Sequence, residues 1–224
     1  MNIENIFEDL MYAGWPLGRD IGGTEKHVLG YKRNEVLEYR EKYYVPSNMT
    51  VVAAGNLSGK VQAHIEKYFG AAAPGKEPSR VFQPATFGPA AKAARVALQA
   101  KKTDQVQLML GFPGFSYTAP ENAAVSVMNT ILGGSMSSRL FIQVREKRGL
   151  CYTVRANAEQ YDDVGLLSVR AGLDAKRLPL AAKTIIAELK KMAKDGVTSK
   201  ELSDAKEHWR GALTLQLEDS SARA

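Results

Sequence analysis

The chain has 224 residues, 45% of them hydrophobic and 24% charged, which suits a globular protein of one large or two smaller domains. No apolar run approaches the roughly 20 residues of a bilayer-spanning helix, and the single cysteine, Cys151, excludes an internal disulfide. The formal net charge of +6 is spread over short clusters such as Lys101-Lys102 and Lys190-Lys191, without the basic helix and interleaved aromatics of a nucleic-acid module.

Ile3, Ile6, Phe7, Leu10 and Met11 recur at three and four, so residues 2 to 12 read as an amphipathic helix, acidic rather than signal-like, ended by Gly14 and Pro16. WPLGRDIGGTEKH follows as a glycine-rich loop. Asn34 can cap a second helix that runs to about Tyr44 before Pro46. Met49 to Ala54 is rich in β-formers and ends at Gly55-Asn56, which predicts a strand. Ser58 starts a third helix to about Phe69, whose stripe of Val61, His64, Ile65, Tyr68 and Phe69 makes His64 a packed or half-buried histidine rather than a ligand. From 71 to 93 no period survives among Pro74, Pro78, Pro84 and Pro89, so a linker divides a domain at 1–70 from one at 94–224.

Beyond the linker, Val96 and Leu98 predict one strand, and Val106, Leu108, Leu110 and Phe112 a second. A helix follows from about Glu121 to Leu132. Residues 152–158 and 165–171 read as paired strands with Asp162-Asp163 near the turn. Pro179 suits the first turn of the next helix, and Thr198 with Glu201 forms a capping box for the last. Paired strands with helices gathered elsewhere give an α+β fold with mostly antiparallel sheets.

The stretch ILGGSMSSRLFIQVREKRGLCYTV, residues 131–154, carries the chemistry. Ser137 or Ser138 can cap a short helix, with Leu140, Phe141 and Val144 on one face. Arg145, Lys147 and Arg148 crowd its last turn, Gly149 follows where a left-handed residue ends a helix, and Cys151 to Val154 begin a strand. Arg145 and Tyr152 supply a charged N–H fork and a phenolic O–H. Converging, they could hold a carbonyl oxygen as it gains negative charge. Cationic last turns and strand tyrosines are equally ordinary capping and packing.

Other motifs carry less. Gly70 to Lys76 matches the first seven positions of a phosphate loop, but Glu77 stands where Mg²⁺ needs a hydroxyl. Gly134-Ser135-Met136-Ser137 lacks the second glycine of a nucleophile elbow. His27, His64 and His208 belong to no paired-histidine motif, so no metal ligand set is expected in the chain.

LGGSMSSRLFIQVREKRGLCYTV closely resembles the second-domain signature of insulinase/pitrilysin-type zinc metallopeptidases, in the bacterial branch similar to mitochondrial processing peptidase. PLGRDIGGTE, Tyr43-Tyr44 through NMTVVAAGN, TDQVQLMLGFPGFSY, YDDVGLL and VTSKELSDAKEHWRGALTLQLEDSSARA resemble further family blocks in the same order. The resemblance implies that each domain pairs a largely antiparallel sheet with helices on one side. It implies that 1–70 is the end of a catalytic-type domain and 94–224 most of a substrate-side domain, truncated at its C-terminus. Arg145 and Tyr152 match an Arg/Tyr pair that reaches the scissile carbonyl of a peptide held at zinc in an opposite half, and Gly133 and Gly134 match a glycine loop linked to substrate recognition.

The family's H-x-x-E-H motif is missing, so a fragment is expected. Zinc would sit in the parent protein or a partner half, and this chain alone would be inactive. The implied role is part of a zinc endopeptidase that binds and polarises substrate. The alternative is a non-catalytic peptide-binding or structural subunit. Expected partners are a peptide or unfolded polypeptide and a second half, in the same chain or in a homo- or heterodimer. Neither nucleic acid nor a membrane span is expected. A cytoplasmic location is favoured, with any N-terminal targeting region missing.

Overall fold

A computed structural model describes residues 3–71, 75 and 95–223. The chain forms two compact units, one from residues 1–19 and 84–209, the other from 20–83 and 210–224. This grouping differs from the expected division at 1–70 and 94–224, because helix α1 (Ile3–Met11) joins the second half of the sequence. The reason is burial: Phe7 and Met11 are covered in a cluster with Tyr12, Val164 and Leu166. Most of the expected linker, 71–93, lies outside the described residues.

The first unit is built on a three-stranded antiparallel sheet of β1 (Val106–Gly114), β2 (Cys151–Gln160) and β3 (Gly165–Leu173), in the order β1-β3-β2. β2 and β3 form the expected hairpin, closed where Tyr161 N–H donates to Val164 O at 2.8 Å. Side chains alternate across a strand, so β3 serves two cores. Val169, Ala171 and Leu173 enter the main core with Val154 and Ala156, against Leu132, Leu140, Val144 and Ile185, while Leu166 turns to the cluster beneath α1. Gly111 lies under α1, where a Cβ would collide with the Phe7 ring. Glu4 of α1 pairs with Arg170 of β3.

The helices of this unit follow their local signals. α5 (Asn122–Asn129) runs into a π-helical segment, Thr130–Gly134. Pro179 sits in the first turn of α6 (Leu178–Asp195), which ends at Gly196 with φ +71°. Before α7 (Ser199–Gln216), which belongs to this unit as far as Trp209, Thr198 N–H donates to Glu201 Oε2 at 2.8 Å and Glu201 N–H to Thr198 Oγ1 at 3.2 Å, the reciprocal box the sequence predicts. One expected strand is absent here. Val96 and Leu98 are 82% and 92% exposed and join no ladder among the described residues. Their alternation is genuine, but a strand exists only once its backbone groups have a partner.

The second unit contains α2 (Glu25–Gly30), α3 (Arg33–Tyr43) and α4 (Val61–Phe69). α2 arises inside the stretch expected to be a loop, because Thr24 Oγ1 accepts from His27 N–H at 3.3 Å and starts a turn. α3 begins one residue before Asn34, with Lys32 N–H donating to the Glu35 carboxylate at 2.8 Å. Met49 to Ala54 forms no strand, again for want of a paired edge among the described residues. His64 is exposed rather than packed or half-buried, since nothing described covers the α4 stripe deeply enough to bury it.

Candidate active-site turn

The candidate residues lie on two linked segments that lead into β2. The first is Thr130–Gly134. Gly133 is buried, and a Cβ there would come within 2.5 Å of Ala156 N and 2.7 Å of Ala156 Cβ. Glycine at 133 therefore lets the segment lie directly on β2. Gly134 is exposed, and the chain then turns with Ser138 N–H donating to Ser135 O at 3.2 Å. Ser135 and Ser137 hydroxyls meet at 3.1 Å.

The expected serine cap is not formed. Ser138 Oγ, 2% exposed, has no hydrogen-bond partner among the described residues, and the backbone carbonyl of Ser138 accepts from Ile142 N–H at 3.0 Å instead. Packing explains this: the side chain is turned into the protein rather than back over the helix end.

The second segment, Phe141–Glu146, is also π-helical, and Lys147 N–H reaches back five residues to Ile142 O at 2.9 Å. This wider turn separates residues expected on one face. Leu140 and Val144 are buried, whereas Phe141 is only partly covered and carries the Arg145 guanidinium over its ring, 4.7 Å from the centroid. Gly149, at φ +55°, then reverses the chain as predicted. Its N–H donates to Arg145 O at 2.8 Å, and Leu150 N–H donates to Val144 O at 2.9 Å, a nested pair in which each bond reaches one residue further back than in a Schellman ending, in keeping with the wide winding of the segment before it.

The chain emerges from the turn directly into β2. Cys151 stands opposite Leu173 and Thr153 opposite Gly172, so Tyr152 is the additional residue of a β-bulge. Bulges re-aim a side chain relative to the strand. Tyr152 is 58% exposed, while Cys151 beside it is buried. Burial pushes the Cys151 thiol up from its ordinary pKa, and the Arg145 charge pulls it the other way. Arg145 and Tyr152 thus occupy the two arms of one turn closed at Gly149. Among the described residues neither the guanidinium nor the phenol has a hydrogen bond or ion pair.

Two residues that support the turn are not visible in the local pattern. Arg177, 28 positions from Gly149, donates from Nη1 to the Gly149 carbonyl. Arg139 forks onto Glu201 at 2.6 and 2.8 Å and onto Gly196 O at 2.9 Å, tying the loop to the start of α7. That fork holds the Glu201 carboxyl down at about 2. Glu201 is legible as a cap, but its second partner lies 62 positions away.

The described residues contain no group of three His, Cys, Asp or Glu side chains able to hold a metal ion. His27, His64 and His208 are all exposed. No helix of the described residues is long and apolar enough to cross a membrane.

Residues 31–208 match the peptidase M16 inactive domain, and the chain belongs to that family. It is 34% identical over 224 residues to the uncharacterized zinc protease YmxG of Bacillus subtilis (strain 168), covering 98% of this chain and 53% of that protein. It is 34% identical over 223 residues to the uncharacterized zinc protease SCO5738 of Streptomyces coelicolor, covering 98% of this chain and 49% of that one. The fold is similar to the crystal structure of a peptidase M16 inactive domain from Pseudomonas fluorescens, with a TM-score of 0.80, 25% identity and coverage of 93% of this chain and 50% of that chain. A protease from Helicobacter pylori shares the fold with a TM-score of 0.84 at 22% identity, over 97% of this chain and 53% of that chain. The chain spans about half the length of the curated relatives it matches.

Proposed function

We propose that this chain is the substrate-side part of a zinc endopeptidase, in which Arg145 and Tyr152 grip the carbonyl oxygen of a bound peptide. The observation that carries the reading is the turn itself: two exposed donors without internal partners, on the arms of one tight reversal. A carbonyl oxygen gains negative charge as its carbon is attacked. A guanidinium fork and a phenol O–H fixed in advance favour that charged state over the ground state. The Phe141 ring beneath Arg145 limits where the guanidinium swings, and the bulge fixes Tyr152 away from the regular strand alternation. Gly133 holds the preceding loop on β2, leaving exposed Gly134 to border the bound peptide.

The described residues do not fit a metal, so no step of this reading runs through one on this chain. The zinc named in the relatives would be carried by polypeptide outside it, in a longer protein or a partner subunit, and the substrate would be a peptide or unfolded polypeptide. In the complete assembly, Arg145→Ala and Tyr152→Phe are each expected to lower kcat/KM by about 10²- to 10³-fold, with zinc content unchanged. Peptide cleavage at the original rate in both variants would sink the reading.

The same two exposed donors also suit a second reading, a peptide-binding subunit without catalysis of its own. An assembly that binds peptide through Arg145 and Tyr152 yet never cleaves it would select that alternative.

A further inference from the structure

We propose that the surface around Gly149 selects peptides with acidic side chains flanking the gripped carbonyl, an inference that rests on the clamp reading of Arg145 and Tyr152. Five cations gather at this turn. Arg145, Lys147 and Arg148 close the π-helical segment, and Lys176 with Arg177 comes from the short turn before α6, where Arg177 binds the Gly149 carbonyl. All five are exposed. Two carboxylates, Glu146 and Asp174, are interspersed, and Asp174 is engaged by the Lys176 backbone N–H at 2.9 Å.

The partners of these cations are neutral wherever they have any. Arg148 Nη1 donates to Gln143 O at 2.7 Å and to Gln143 Oε1 at 3.0 Å. Arg177 meets a carbonyl, and Arg145 lies over an aromatic ring. Among the described residues none of the five forms an ion pair. In the same unit Arg139, Arg170 and Lys200 are each matched to a carboxylate, whereas, among the described residues, Arg155, Lys183 and Lys190 are not; what sets the turn apart is that five such cations gather on two short segments joined at Gly149. The turn thus carries five cations against two carboxylates, an excess of positive charge that no ion pair among the described residues takes up, on the segments that lead into Tyr152 and support Gly149. Carboxylate side chains on a peptide that reaches Tyr152 supply the missing counter-charge, and Arg offers them a bidentate geometry. A basic peptide would be repelled.

Binding of the 224-residue chain to extended peptides of equal length, read by fluorescence anisotropy, tests this. The peptides carry Asp and Glu, neutral polar residues, or Lys and Arg on both sides of one central residue. Acidic peptides are expected to bind about tenfold tighter than neutral ones at low salt, with basic peptides weakest. The acidic-to-neutral ratio should collapse at high salt and in the Lys147→Glu/Lys176→Glu variant, whose changed side chains are exposed and whose fold is checked by circular dichroism. Equal affinity for acidic and neutral peptides in the unmodified chain would overturn the proposal. So would duplex DNA that displaces the acidic peptide and binds with the steeper salt dependence, since the cations would then be reading phosphate. Failure of the clamp reads out separately: in the complete assembly Tyr152→Phe, which removes no charge, would leave kcat/KM for a neutral peptide where it was while the charge preference persisted.

Discussion

The two units of this chain treat the same kind of amphipathic sequence in opposite ways. In the first, the stripes of α5, α6 and the π-helical segments are driven into a sheet, and Leu132, Leu140, Val144 and Ile185 are fully buried. In the second, α2, α3 and α4 bury no residue, and Val45 is the one buried side chain among those described. Val36, Tyr39 and Tyr44 stand largely in solvent. The difference teaches that hydrophobic periodicity makes a helix possible, whereas a sheet or neighbouring helix to bury it decides how much stability it returns.

The comparison is broken or sharpened most strongly at Leu140. Leu140→Ala should lower the unfolding free energy by about 3–4 kcal/mol, because the residue is wholly enclosed and the cavity has little room to collapse. Denaturant titration measures it, and a loss no larger than that of a surface substitution would erase the contrast. A smaller effect is expected at Glu201. Its carboxyl is held low, first by the hydrogen bonds from Arg139, so its contribution is complete above the ordinary carboxylate pKa of 4.5 and is lost as pH falls towards about 2. Glu201→Ala should cost about 2 kcal/mol at neutral pH, with allowance for partial exposure of the pair. The variant's stability should also fall less steeply than the parent's between pH 4.5 and 2. The smallest effect belongs to the second unit. Val36→Ala on the exposed face of α3 should change stability by less than about 0.5 kcal/mol, since alanine favours the helix and little burial is lost. A loss approaching that of Leu140→Ala would show that α3 is supported as firmly as the main core.

Much of the first unit can be read from short-range signals. The Thr198–Glu201 box, Pro179 at the start of α6, Gly149 beyond the cationic turn and the β2–β3 hairpin each depend on residues within a few positions of one another. What escapes the sequence depends on distant partners. The runs at 49–54 and 96–98 have strand composition, but no local feature says whether an edge will be present to pair with them. α1 reads as part of its neighbours in sequence, yet the space above Gly111 draws Phe7 onto the sheet. Within the candidate site, Arg145 and Tyr152 can be selected by type and spacing. The bulge that displaces Tyr152 and the π-helical winding that sets Phe141 under Arg145 emerge only from three-dimensional packing. Arg177 is invisible for the same reason, being 28 positions away from the carbonyl it binds.

Cys151 is the sole thiol of the chain, largely covered, and falls in sequence between the two proposed gripping residues. With 9% of its surface exposed, it reacts slowly with an alkylating reagent in the closed fold and faster when the backbone around it loosens. Its labelling rate is consequently a native stopwatch for breathing of that corner, obtainable without introducing any foreign probe.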